Sequence, residues 1–186
     1  MYEKMKHRIF VALNISQELR DKIINWQAEF KRRAPETAEK IRWLTGESLH
    51  ITILPPWYED DEGIEKTKKA LNFISGGEKF DCFFESVSYG PDPRWPRLVW
   101  LSGETPLQLV DLKNRITQTL KIKNESRPFL LHLTTGRFRS EDFSSFSIKN
   151  LNESFEFKET IKEFALIKSH LEKGGARYEI IEKFKI

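Results

Sequence analysis

Leu49-His50-Ile51-Thr52 and Leu131-His132-Leu133-Thr134 are one tetrapeptide pattern written twice. In a β-strand successive side chains alternate faces, so a His and a Thr two residues apart point the same way. Each copy would present an imidazole and a hydroxyl on one face and bury Leu49, Ile51 and Ile53, or Leu131 and Leu133, on the other. Imidazole has an unperturbed pKa of about 6.5, so near neutrality one His can hold a proton while another does not. Two that face each other across a groove are an acid and a base at once. Displacement at phosphorus needs that arrangement, because nucleophile and leaving group sit roughly in line on opposite sides of the phosphorus. The Thr hydroxyls can donate to the non-bridging phosphoryl oxygens, where the negative charge sits. Nothing in the scheme requires a metal ion or a cofactor.

Other readings of these residues explain less. One His-x-Thr alone would be read as a structural histidine satisfying a buried polar group, but a matched pair is not. A zinc site needs a third ligand, and neither His nor Cys stands near either motif to supply it, which leaves only a carboxylate. A Ser-His-Asp triad would leave the second motif without a use. His7 and His170 lack a Thr partner and read as surface or capping groups. The run Glu59-Asp60-Asp61-Glu62 lacks the alternation and Gly turn of a calcium loop, so it reads as a solvated loop or a helix start, where acidic groups suit the macrodipole.

The elements that must position the motifs follow from apolar period and capping. Arg8 to Leu13 is an apolar strand. Ser16 caps a helix whose Leu19, Ile23, Trp26 and Phe30 share a face and which frays toward Pro35. Ile41 to Leu44 is a short strand, and Leu49 to Leu54 is the first motif strand, expected to end at Pro55-Pro56 because proline cannot donate to a ladder. Ile64, Thr67, Leu71 and Ile74 mark a second helix stopped by Gly76-Gly77. Phe80 to Val87 is a strand, with Cys82 as a small buried residue. Gly90 to Pro96 reads as a crossover dividing the chain, and Arg97 to Leu101 as the next strand. Thr105-Pro106 starts a helix with Thr as cap and a stripe of Leu109, Leu112, Ile116 and Leu120. Phe129 to Thr134 is the second motif strand. Ser140 to Phe157 shows little period and reads as a surface loop. Thr160 to Lys168 and Ala176 to Phe184 are strands joined at Lys173-Gly174-Gly175.

Both halves thus run strand, capped helix, motif strand, with 34 and 27 residues from cap to His. Such duplication predicts an α+β, bilobal fold with pseudo-two-fold symmetry, in which antiparallel sheets line a central groove. The 186 residues suit a single domain, 1–186, of two lobes formed by interleaved halves with the crossover near 90–96. The 39% hydrophobic and 32% charged content fits a folded protein, and a net charge of +3 permits a phosphate-bearing ligand without demanding one. With one cysteine, an intrachain disulfide and a four-Cys zinc site are excluded, which suits a reducing cytoplasm. Lys4, Lys6 and Arg8 precede an apolar run too short for a signal peptide or a membrane span, so a cytoplasmic protein without a membrane partner is expected.

Taken together, these stretches resemble the RNA 2′,3′-cyclic phosphodiesterases, the 2′-5′ RNA ligase family within the two-histidine phosphoesterase superfamily. The likeness runs nearly end to end, through Arg8-Ile9-Phe10-Val11-Ala12-Leu13, Leu49-His50-Ile51-Thr52, Pro96-Arg97-Leu98-Val99-Trp100, Pro128-Phe129, and His132-Leu133-Thr134-Thr135-Gly136-Arg137. It closes with Phe164 to Ser169 and Tyr178 to Phe184. The resemblance implies hydrolysis of an RNA 2′,3′-cyclic phosphate end to a 2′-phosphate, with His50 as the acid that protonates the departing 3′ oxygen and His132 as the base that activates water. It implies that Thr52 and Thr134 hold the phosphate, that Arg137 adds charge there, and that Phe10 and Tyr178 wall the terminal base, although bare aromatics of this kind are as a rule core. The chain departs from the family pattern at Leu54-Pro55-Pro56-Trp57, where Phe-Leu-Gly is usual, at Leu131, where proline is common, and at Thr135, where an aliphatic is usual.

The expected activity is therefore metal-independent hydrolysis of cyclic phosphate termini on RNA, including tRNA fragments or small cyclic nucleotides, by a monomer. The alternatives are 2′-5′ RNA ligation at the same site, with a ribose hydroxyl in place of water, and a non-catalytic RNA-end-binding module. For that module Lys31-Arg32-Arg33, Arg94 and Arg97 would form the basic surface.

Overall fold

A computed structural model describes residues 5–74, 76–123, 127–173 and 175–186. Lys4 and Gly174, named above, lie outside them. The strands are β1 His7–Asn14, β2 Arg42–Trp43, β3 His50–Glu59, β4 Phe80–Gly90, β5 Leu98–Ser102, β6 His132–Arg137, β7 Asn152–Ile161, β8 Glu163–Glu172 and β9 Gly175–Lys185. The helices are α1 Gln17–Arg33, α2 Pro35–Ala38, α3 Asp61–Asn72 and α4 Leu107–Thr119. Among the described residues the strands form two antiparallel sheets, ordered β3-β1-β8-β9 and β2-β6-β5-β4-β7. Strand β3 is the edge of the first and β6 lies near the edge of the second, and the two approach each other where the sheets meet.

The alternation expected of the motif strands holds. Leu49, Ile51, Ile53, Leu131 and Leu133 are buried in one apolar core that also takes Leu19, Ile23 and Phe30 of α1, Ile64 and Leu71 of α3, and Leu109, Leu112 and Ile116 of α4. The helices cover one face of each sheet and leave the His-bearing faces for the groove. Strand β1 serves both sides. Ile9, Val11 and Leu13 enter the main core, whereas Phe10 and Ala12 join Ala165, Ile167 and Tyr178 in a small cluster on the groove side.

The duplication extends to local irregularities. Ala12 pairs with Thr52 and Val11 with Leu54, so Ile53 is an extra residue in β3. Trp100 pairs with Thr134 and Val99 with Gly136, so Thr135 is an extra residue in β6. Each motif strand therefore carries a one-residue bulge immediately after its Thr. The register before the bulge matches too, with Asn14 opposite His50 and Ser102 opposite His132.

Several sequence expectations change. Strand β3 does not stop at Pro55-Pro56 but runs to Glu59. It is an edge strand, and a second register shift places both exposed prolines opposite Phe10, where missing N–H groups cost no ladder bond. Residues 90–96 are not a crossover between lobes: β4 and β5 pair as a hairpin in one sheet, with Gly90 opposite Leu98. Thr105 does not cap α4. Pro106 occupies the cap, and the Thr105 hydroxyl accepts from the Leu131 N–H at 2.8 Å, which ties the helix entry to the residue before His132. The Ser140 to Phe157 segment is only partly loop. A 3₁₀ turn spans Ser140–Ser145, and β7 begins at Asn152 with Phe155 buried, a short alternation the polar flanks concealed. Thr160 and Ile161 close β7, and the chain changes sheet at Lys162. The acidic run is a helix start, with the Asp60 carboxylate accepting from the Gly63 N–H.

Candidate active site

The two imidazoles are fixed in the same way. His50 Nδ1 lies 2.8 Å from the Ser48 carbonyl and His132 Nδ1 lies 2.9 Å from the Leu130 carbonyl, in each case two residues upstream. A carbonyl only accepts, so both Nδ1 atoms carry hydrogen and both Nε2 atoms are left for other partners. One pocket is lined by Leu44, His50, Thr52, His132, Thr134 and Arg137. The four residues of the duplicated motif are thereby brought together.

Arg137 reaches that pocket because of the bulge. It is five residues after His132, an odd offset that strict alternation would send to the opposite face. The extra residue Thr135 restores the parity. Thr135 is fully buried, and its hydroxyl donates to the Val99 carbonyl at 3.2 Å, so a polar residue at a usually aliphatic position is satisfied. The bulged peptide is held from outside the strand as well. The Thr135 carbonyl accepts from the Leu44 N–H at 2.8 Å and from Gln27 Nε2 at 3.1 Å, and Gln27 also donates to the Leu44 carbonyl. Gln27 is 3% exposed, a buried amide on the apolar face of α1 that sequence period did not single out.

The surroundings of the two histidines differ. The His50 ring lies 5.1 Å from Phe10 and 5.1 Å, at 90°, from Tyr178. Burial pushes its pKa down to about 4, opposed by the hydrogen bond to Ser48 and reinforced by Arg137, His132 and Arg20. His50 is thus neutral at pH 7 with Nε2 unprotonated, and the Thr52 hydroxyl donates to it at 3.1 Å. His132 packs against Trp100, ring centres 5.1 Å apart. That indole crosses β4 where Gly90 leaves room, since a Cβ there would stand 2.3 Å from the ring, and its N–H donates to Ser88 Oγ at 3.0 Å. Partial burial, then the nearby charges of Arg42, Arg97 and Arg8, lower the Arg137 pKa against the raising effect of Tyr178, and a guanidinium stays charged regardless.

Phe10 is not a free wall for a base. At 2% exposed it lies beneath His50 and Tyr178 as a positioning group, while Tyr178 is partly exposed beside the pocket. Of the residues expected to form a basic surface, Lys31-Arg32-Arg33, Arg94 and Arg97, Arg33 pairs with Glu153 at 2.5 Å, Arg94 pairs with Asp92 at 2.8 Å, Lys31 lies over Trp43, and Arg97 is a neighbour of Arg137. His7 pairs with Asp61 and His170 with Glu179, away from the pocket. Among the described residues no three His, Cys, Asp or Glu side chains are grouped to hold a metal ion, and no helix is long and apolar enough to cross a membrane.

A family model described as the 2′-5′ RNA ligase superfamily matches residues 17–173. The chain belongs to this superfamily. It is 27% identical over 192 positions to the RNA 2′,3′-cyclic phosphodiesterase of Methanothermobacter thermautotrophicus, covering 98% of this chain and 100% of that protein. It is 25% identical to the protein of the same name from Escherichia coli, covering 96% of each. Two solved structures share the superfamily fold with this chain. Escherichia coli LigT complexed with 3′-AMP superposes with a TM-score of 0.78 at 23% identity over 98% of this chain and 99% of that one. TT0787 of Thermus thermophilus gives 0.76 at 19% identity over 96% and 97%.

Proposed function

We propose that this protein is a metal-independent RNA 2′,3′-cyclic phosphodiesterase that opens the cyclic end to a 2′-phosphate. The observation that carries this reading is the convergence of both His-x-Thr pairs and Arg137 on one pocket. The names of full-length relatives support the substrate class. One imidazole takes the proton of the attacking water as the new P–O bond forms. The P–O3′ bond breaks, and the 3′ oxygen takes the proton held by the other imidazole. Thr52 and Thr134 donate to the non-bridging oxygens, and Arg137 offsets their charge.

The resemblance gives His50 the acid role and His132 the base role. By the protein's own groups His50 is neutral at pH 7, so to act as the acid it takes up a proton from solvent when the substrate anion binds. A phosphodiester anion set against Arg137 cancels part of the charge that discourages protonation of His50 and so raises its pKa.

Incubation with a short RNA ending in a 2′,3′-cyclic phosphate, with a chelator present, tests the proposal. The expected product is the 2′-phosphate, with a bell-shaped pH–rate profile. Undiminished turnover by His50→Ala or by His132→Ala, or RNA that binds and stays intact, would sink it. The family description favours one second reading, 2′-5′ ligation, in which a ribose hydroxyl replaces water. A 2′-5′-linked product from the same labelled RNA would identify it.

A further inference from the structure

We infer that the protein has a second phosphate subsite, built on Arg42 and Arg137, for the phosphodiester one nucleotide upstream of the reacting end. The inference rests on the reading that a cyclic phosphate is held between His50 and His132. Strand β2 has two residues, and one of its pairs sets Arg42 directly opposite Arg137. Like charges placed opposite each other on neighbouring strands oppose sheet formation, so the pair needs a reason other than stability.

Neither guanidinium has a carboxylate partner among the described residues, in contrast to Arg33, Arg94 and Arg177, which are paired. Both line a cavity of ≈ 300 Å³ that adjoins the histidine pocket and shares Leu44 and Arg137 with it. Of the two carboxylates in its wall, Glu172 is held by Arg177 at 3.0 Å and Glu47 is exposed, which leaves the lining with surplus positive charge. Gly175, at the start of β9, makes room for Arg42. A Cβ on Gly175, whose φ is +140°, would come within 2.9 Å of Arg42 Nη1.

Two planar forks at the boundary between two pockets suit an anion attached to the one that reacts. In RNA the phosphate on the 5′ side of the terminal nucleoside is such an anion, and the cavity is at the low end of the range that takes a small organic group. Arg137 borders both pockets, whereas Arg42 lines only the outer one. A mononucleoside 2′,3′-cyclic phosphate cannot use Arg42. An oligonucleotide can.

The test compares kcat/KM on three substrates: a dinucleotide ending in a 2′,3′-cyclic phosphate, the same dinucleotide with an uncharged methylphosphonate linkage, and the mononucleoside 2′,3′-cyclic phosphate. Wild type should prefer the charged dinucleotide over both others by tenfold or more, mainly through KM. Arg42→Gln should erase most of that preference, and Arg42→Lys should restore part of it. The methylphosphonate arm reads the subsite in the unaltered protein, so a folding defect in a variant does not obscure the answer. Equal rates for charged and uncharged dinucleotides in wild type, or an equal loss on all three substrates in Arg42→Gln, would overturn the subsite. If wild type turns over none of them, the phosphodiesterase reading fails by itself. Equilibrium binding of the two dinucleotides then decides the subsite, with tighter binding of the charged one supporting it and equal affinity overturning it.

Discussion

The two half-sites are built alike and surrounded differently. Each has a His whose Nδ1–H is pinned by the carbonyl two residues upstream, a Thr on the same face, and a bulge just after that Thr. Around His50, however, the neighbours are Phe10 and Tyr178, whereas His132 has Trp100. Three residues beyond the Thr, past the bulge, one strand has Pro55 and the other Arg137. The repeated parts fix tautomer and direction. The unlike parts set the surroundings, and burial lowers the pKa of His50 to about 4.

The sharpest way to break the comparison is to remove each imidazole in turn. His50→Ala and His132→Ala should each lower kcat on a cyclic-phosphate RNA by about 10² to 10⁴-fold, the usual worth of a positioned acid or base. If only one falls, the symmetry of the pair is structural and not functional. The Thr pair comes next. Thr52→Val and Thr134→Val should each cost about 10² to 10³-fold, as the loss of one preorganised donor does. They should differ in one respect: only Thr52→Val removes the donor to an imidazole Nε2 and so alters the titration of His50, read by NMR.

Buried His50 also couples folding to pH. Its folded pKa of about 4 lies below the unfolded value, so the unfolded chain binds the extra proton between the two. The contribution is fully present above about pH 6.5 and is lost as the pH falls toward 4, by about 3 kcal/mol in total. Chemical denaturation at pH 7 and pH 4.5 checks this, with His50→Asn expected to flatten that part of the profile. An unchanged slope in His50→Asn would mean that other groups carry it. Inorganic phosphate should move the His50 pKa upward, since an anion beside Arg137 favours the imidazolium.

What the sequence made legible was whatever repeats or has a period. The motif strands, the buried stripes of α1, α3 and α4, the Ser16 cap and the α+β class could all be read from spacing, because burial imposes those periods on the chain. Irregular features were hidden. The continuation of β3 through Pro55-Pro56 depends on β3 being an edge strand, which only sheet order shows. Gly90 to Pro96 has the same composition whether it crosses between sheets or turns within one. In the site, His50, Thr52, His132 and Thr134 were legible as a pair of pairs. Trp100 as a partner of His132, Phe10 as a support beneath His50, and Arg42 opposite Arg137 were not, since each depends on strand register.

Gln27 offers the mildest way to sharpen the comparison, because it holds only one of the two bulges. Its amide bridges the Leu44 and Thr135 carbonyls from within the core, and at 3% exposed it has no water to replace them. Gln27→Met keeps the length and loses the donor, leaving one buried carbonyl bond unmade at each of Leu44 and Thr135. A destabilisation of about 1 to 3 kcal/mol is expected by urea titration. The Thr135 carbonyl still accepts from Leu44 N–H, so the bulge should survive with a looser register. Arg137 and Thr134 would then be less well placed, while His50 and Thr52, on β3 with its own bulge at Ile53, would not be affected. Activity should therefore fall several-fold with the NMR titration of His50 little changed. A large change in the His50 titration would show that the two half-sites are held as one unit, through Leu44 in the wall they share.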